Sequence, residues 1–164
     1  NARAGAPRVT GYVDMLSREA VGKFIELTHE WYKDAVGEEF GKTVRGVFTD
    51  EPTPNIMYYY TAAGIWNDDF PAEFEKDHGY SILPWLYVLW NIEPKRPEEI
   101  KAVHDYRSTV KRLYHDNFMR QYSKWCHENN LLFTGHFGGE EKFLDGQTIK
   151  TKILHEEYLV QQNE

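Results

Sequence analysis

Between residues 21 and 35 apolar or aromatic side chains recur at steps of three and four: Val21, Phe24, Ile25, Thr28, Trp31, Tyr32 and Ala35. At 3.6 residues per turn this draws one apolar face, so the spacing predicts an amphipathic helix. Ser17 offers an N-cap oxygen, Glu19 a negative charge where the helix dipole favours one, and Gly37 a stop. Ahead of it, Val9, Tyr12, Val13 and Met15 predict a short strand over 8–15. After it, Thr43–Thr49 is β-branched and apolar and ends in Asp50-Glu51-Pro52, a short buried strand with two acids at its carboxyl end. Pro52 and Pro54 bar regular structure beyond it. A second helical period opens at Pro97, a residue suited to a first helical turn. Ile100, Val103, Tyr106, Val110, Leu113, Phe118, Tyr122 and Trp125 carry it to about His127, a span of roughly 45 Å at 1.5 Å per residue. Leu131–His136 reads as another buried strand, running into Phe137-Gly138-Gly139-Glu140-Glu141.

The order is therefore strand, helix, strand, a long excursion over 53–96 with short helices near 69–78 and 82–90, a long helix, and a strand. Such alternation favours parallel βαβ units and an α/β fold with about three parallel strands. A connection as long as 53–96 is usually functional. No repeat or linker divides the chain, so residues 1–164 are expected to form a single domain. Within it 53–96 is an insertion and 148–164, which departs from the preceding pattern, a charged helical tail. At 164 residues the chain is too short for a complete eight-fold barrel, which takes about 200 residues or more.

The formal charge of −7 and a pI near 5.5 argue against a nucleic-acid partner, which calls for a basic patch. The longest apolar run, Ile82–Trp90, is about half a membrane span, and the N-terminal residues show no apolar signal-peptide core. The chain begins without methionine, which points to processing or to a longer parent. The lone Cys126 falls on the apolar stripe of the long helix and is expected in the core. His104, His115 and His127 are about three turns apart and cannot share one metal ion. Asp105-Tyr106-Arg107 and Lys111-Arg112 read as a salt-bridged helix surface. No serine has a nucleophile-elbow context.

In parallel α/β folds ligands bind at the carboxyl ends of the strands. Three expected strand ends offer Asp14, then Asp50 and Glu51, then His136, Glu140 and Glu141. Glycoside hydrolysis needs two carboxyl groups in different protonation states, and their separation selects retention or inversion. Glu51 and one of Glu140 and Glu141 lie at the ends of consecutive expected strands, about 4.8 Å apart when adjacent. Aromatic residues make up 15% of the chain; Tyr58 and Trp66 follow the Glu51 strand, where a ring can stack on a sugar or simply pack the loop.

Gly11-Tyr12-Val13-Asp14-Met15-Leu16 with Glu19-Ala20-Val21 and Phe24-Ile25, the run Phe40–Pro52, His104-Asp105-Tyr106-Arg107, Trp125-Cys126 and Phe133-Thr134-Gly135-His136 together resemble bacterial glycoside hydrolases similar to the family 106 α-L-rhamnosidases, over about residues 9–147. The resemblance implies a partial (β/α) TIM-like barrel acting on a plant or bacterial polysaccharide, with α-L-rhamnoside as one substrate. It implies Glu51 as general acid or acid/base, Glu140 or Glu141 as the second carboxylate, and Asp14, Asp50 and His136 as sugar-holding residues. It brings in calcium, although no EF-hand pattern is present and no metal ligand is assigned. A barrel sheet cut at this length leaves open edges. A fragment, a truncated product and a dimerising small domain are all compatible with that, as is a secreted or periplasmic parent. The competing reading is a non-catalytic α/β domain that binds a carbohydrate or a partner through its aromatic loop.

Overall fold

Ser17 begins the first helix as its position predicts. Its Oγ accepts the backbone N–H of Ala20 (3.2 Å), satisfying one of the donors a first turn leaves without a helical partner. In the computed structural model, which describes residues 12–50, 52, 54, 65–90 and 94–136, α1 spans Arg18–Val36 and passes into a 3₁₀ turn at Gly37–Glu39. Then follow β1 (Gly46–Asp50), α2 (Phe70–His78), a 3₁₀ turn at Leu83–Trp85, α3 (Leu86–Trp90), α4 (Pro97–Tyr114), α5 (Arg120–Glu128) and β2 (Leu132–His136).

Three expectations about the elements are corrected. Tyr12–Asp14 carry no regular structure and Met15–Leu16 form a turn, so the strand expected over 8–15 is absent from its described half. The cause is local. Asp14 Oδ1 accepts the N–H of Leu16 (2.9 Å) and the Asp14 carbonyl that of Ser17 (3.1 Å), giving the backbone an alternative to sheet pairing. The long helix from Pro97 is interrupted by a π-helical turn at His115–Met119. From this turn Asn117 Nδ2 donates to the Leu16 carbonyl (2.6 Å), and π turns of this kind often occur at functional sites. Of the apolar face expected on α1, only Val21 and Ile25 are buried, while Trp31 is 72% exposed.

Two compact units divide the chain: residues 1–26 with 54–121, and 27–53 with 122–164. In the first, Phe70, Phe74, Ile82, Val88, Ala102, Leu113, Tyr114 and Phe118 form the apolar core. A polar seam joins α2 to α4. Arg112 donates from Nη2 to Glu73 (2.6 Å) and from Nε to Asp77 (2.8 Å); the Thr109 hydroxyl donates to Asp77 (3.1 Å) and accepts from His78 Nε2 (3.0 Å). Tyr80 donates to Asp105 (2.9 Å). The ion pairs expected of this stretch are present, with Arg107 exposed and Arg112 33% exposed, but Thr109 is fully buried and Asp105 nearly so, so Asp105 is an interior group and not part of a solvated surface. Such a seam is stabilising because every buried polar group in it has a partner.

Two element ends carry tests. Helix α2 closes on Gly79 at φ 74°, and a Cβ there would meet nothing within 4 Å. Gly79→Ala is thus free of clashes but strained in the left-handed region. Chemical denaturation of this chain is expected to show a loss of about 1 kcal/mol. At the start of α4, Glu99 Oε2 accepts the N–H groups of Arg96 and Lys95 (both 3.0 Å), and Oε1 accepts from the Tyr87 hydroxyl and Arg96 Nε (both 2.9 Å). The backbone donors above all hold the Glu99 carboxyl at about 2, against an ordinary 4.5. A pKa depressed on folding gives stability that is complete above the unfolded value and is lost as pH falls through the folded one. Glu99→Gln is therefore expected to flatten the fall of the urea midpoint between pH 4.5 and 2; an unchanged slope would refute the assignment.

In the second unit Tyr122, Trp125, Cys126, Leu131 and Phe133 are buried. Trp125 Nε1 donates to Glu30 (2.6 Å). The His29 ring lies edge-on to Tyr122 and Trp125 at 4.6 and 5.1 Å and hydrogen-bonds the Tyr122 hydroxyl through Nε2. Burial lowers its pKa. Cys126 is in the core, as its place on the stripe predicts, and burial pushes its thiol up to about 11. The sheet consists of β1 and β2, which pair in parallel with Gly46 opposite Leu132 and Asp50 opposite His136. The expected parallel neighbours are present; the third strand is not found among the described residues.

Candidate active site

The site is built from the end of that register. β1 runs out at Asp50 and β2 at His136, and the two are paired across the strands. Asp50 Oδ1 and His136 Nδ1 are 3.6 Å apart, with the side chains 80% and 45% exposed. A contact this open adds little to stability whatever its charge, so its significance is positional: it puts an acceptor and an imidazole at adjacent strand ends.

Gly135 makes the approach close. It faces Thr49, and a Cβ on it would lie 2.3 Å from the Thr49 carbonyl oxygen and 2.5 Å from Thr49 Cγ2. One step before the ends, the strands thus come together in a way that no side chain would permit. Gly46, at the opposite end of the register, is a milder case, with a Cβ 2.8 Å from the Leu132 carbonyl oxygen.

Asp14 belongs to the first unit and sits in the turn before α1, not at a strand end. Its Oδ2 accepts from Asn67 Nδ2 (2.9 Å) while Oδ1 takes the Leu16 N–H. The Leu16 carbonyl is in turn held by Asn117. The carboxylate is therefore fixed in orientation by groups that sequence reasoning missed. No spacing signal could have found them, since 53 residues separate Asp14 from Asn67 and 101 separate Leu16 from Asn117. Among the described residues Asn67 Oδ1 is buried without a hydrogen-bond partner. Trp66, next to it, lies against Phe70 with centroids 4.9 Å apart. Glu51, Tyr58, Glu140 and Glu141 lie outside the described residues.

Calcium takes six to eight oxygen ligands. Among the described residues no three His, Cys, Asp or Glu converge.

Comparison with known proteins bears on the family and the fold. A solved structure of a rhamnosidase from Novosphingobium sp. PP1Y superposes with a TM-score of 0.55 at 25% identity, covering 76% of this chain and 11% of that one. A protein of Formosa agariphila that bears the name "Putative beta-glucuronidase" is 28% identical over 124 residues, 74% of this chain and 10% of its own length. The chain thus spans about a tenth of the length of these relatives. The mixed helix and strand fold with its short parallel sheet resembles part of a rhamnosidase. The family model described as alpha-L-rhamnosidase matches residues 1–158, and the chain belongs to that family, glycoside hydrolase family 106.

Proposed function

We propose that this chain is one portion of a longer glycoside hydrolase, a run of βα units from its (β/α) barrel, and that the whole protein cleaves an α-L-rhamnosidic bond. The observation that supports this most is the parallel register pairing Asp50 with His136 in a member of family 106. It pairs the end of the strand that Glu51 follows in sequence with the end of the strand that Glu140-Glu141 follow four residues later.

On this reading Glu51 protonates the departing glycosidic oxygen. Glu140 or Glu141 activates a water or attacks the anomeric carbon, according to whether the two carboxyl groups stand about 6.5–9.5 Å or about 5 Å apart. Asp50 and His136 accept and donate hydrogen bonds to sugar hydroxyls. Within the first unit, Asp14, held by Asn67 and the Leu16 N–H, and the ring of Trp66 are separate candidates for a sugar hydroxyl and a sugar C–H face; Tyr58 is a candidate from sequence alone. Carbohydrate is the partner, and no step requires nucleic acid or a membrane.

The test uses the full-length protein with 4-nitrophenyl α-L-rhamnoside and the corresponding β-glucuronide, the second because of the name one relative bears. Release of nitrophenol from the rhamnoside alone supports the reading. Release from the glucuronide alone replaces the sugar. Binding of either without turnover favours a carbohydrate-binding domain instead.

A further inference from the structure

Helix α4 has two unlike sides. Its buried residues, Ala102, Thr109 and Leu113 among them, line one side. Opposite them Ile100, His104, Arg107 and Lys111 follow one another at steps of four, three and four, the spacing of a single stripe along a helix. Ile100 is 53% exposed, the His104 side chain 81%, and Arg107 is exposed. Charge is segregated along with burial. From residue 100 to residue 115 the chain carries Lys101, Arg107, Lys111 and Arg112 against the single carboxylate Asp105, although its formal charge as a whole is −7. Asp105 is nearly buried and is held by Tyr80, Lys101 and His104. Arg112 is turned to Glu73 and Asp77 of α2. Arg107 and Lys111 therefore set the sign of the exposed face.

We propose that this face of α4 is a docking track for a carboxylate-bearing polysaccharide, a further carbohydrate contact that uses none of the residues assigned above to hydrolysis. Charge complementarity gives the sign of the partner. The spacing gives its form. Side chains one turn apart, about 5.4 Å along the axis, suit a polymer that repeats its negative charge from one sugar ring to the next. Arg107 offers a planar fork that fits both oxygens of a carboxylate, and Lys111 a mobile point charge. At the start of the helix the Tyr87 hydroxyl donates to Glu99 (2.9 Å) and accepts from Arg96 Nη2 (2.6 Å). These bonds fix the ring and leave it 40% exposed, a flat surface for a sugar to stack on. Other occupants fit less well. Ile100 is the one apolar member of the stripe, so the stripe lacks the apolar face with which a helix settles into a membrane surface. A single polysaccharide strand can lie along one helix, whereas a nucleic-acid duplex or a folded acidic protein also meets the acidic remainder of the chain. The proposal goes beyond the hydrolytic reading and does not depend on which bond the enzyme cleaves.

The experiment is affinity electrophoresis of the full-length protein through gels containing polygalacturonate, dextran or polyglutamate. Retardation by polygalacturonate alone is expected. Its apparent affinity should fall about tenfold as salt is raised from about 0.05 to about 0.5 M, because exposed charges are screened. Arg107→Glu combined with Lys111→Glu should weaken it by about tenfold, since two exposed attractions become repulsions. Hydrolysis of 4-nitrophenyl α-L-rhamnoside by the same preparations should not change. If the double variant misfolds, Arg107→Gln, at an exposed position, is read in its place and should bind polygalacturonate more weakly than the unsubstituted protein. Equal retardation by dextran, undiminished retardation of the variants, or no retardation by polygalacturonate at low salt overturns the proposal. Retardation by polyglutamate as strong as that by polygalacturonate overturns it in favour of an acidic protein partner.

Discussion

Glu51→Gln in the full-length protein is expected to lower turnover of an unactivated α-L-rhamnoside by about 10²- to 10⁴-fold, the usual contribution of a positioned proton donor. The amide keeps the shape of the carboxyl group but has no acidic proton to give, so substrate binding should survive while the chemical step fails. The dependence on leaving group is the sharper readout. An alkyl glycoside cannot expel its alkoxide unprotonated and should show the whole loss. A dinitrophenyl glycoside departs as a stabilised anion and should show little. A variant that loses activity equally on both would identify Glu51 as a group that stabilises the oxocarbenium-like centre or attacks it, and the proton donor would then lie in the Glu140-Glu141 pair. Unchanged activity on both would remove Glu51 from the chemistry. Asp50→Asn in parallel separates the neighbours. As a residue that orients hydroxyls, Asp50 should act chiefly on KM, because binding lost equally from ground and transition states leaves kcat alone.

What the sequence made legible follows from the range of the interactions involved. Helices α1 to α5 and strands β1 and β2 sit close to where periodicity and composition put them, since those signals act within a few residues. The parallel pairing followed from the alternation of elements, and the buried Cys126 from its place on a stripe. The strand that hydropathy predicts up to Asp14 gives way to a turn in its described half, because Asp14 accepts the Leu16 N–H with its side chain and the Ser17 N–H with its carbonyl, contacts that hydropathy does not register. Asp105 and Arg112 looked like surface charges because a charged helix segment has the same composition whether it faces water or the partners Tyr80, Glu73 and Asp77. Spacing alone puts Trp31 on a buried face, yet α1 buries that face only through its first half.

The largest effect on stability is expected at Gly135. Gly135→Val in this chain should cost several kcal/mol, at or beyond the about 1–3 kcal/mol typical of forcing extra carbon into a packed site. The neighbour that must yield is backbone: the Thr49 carbonyl oxygen would stand 2.3 Å from the new Cβ, and moving it means parting β1 from β2. Thr49 Cγ2, at 2.5 Å, is the smaller obstacle and can be removed separately. Gly135→Ala alone and Gly135→Ala with Thr49→Ser therefore divide the cost. If the carbonyl dominates, relieving Cγ2 recovers only a minor part and the coupling between the two positions is small. If the double variant regains most of the stability, the clash lies between side chains and the strands are less tightly apposed than their register implies. Since Asp50 and His136 are the next pair along, strands forced apart at Gly135 also carry the candidate site out of register. In the full-length protein Gly135→Ala should then depress kcat with Glu51 intact, whereas Gly79→Ala, confined to the end of α2, should leave kcat as it is.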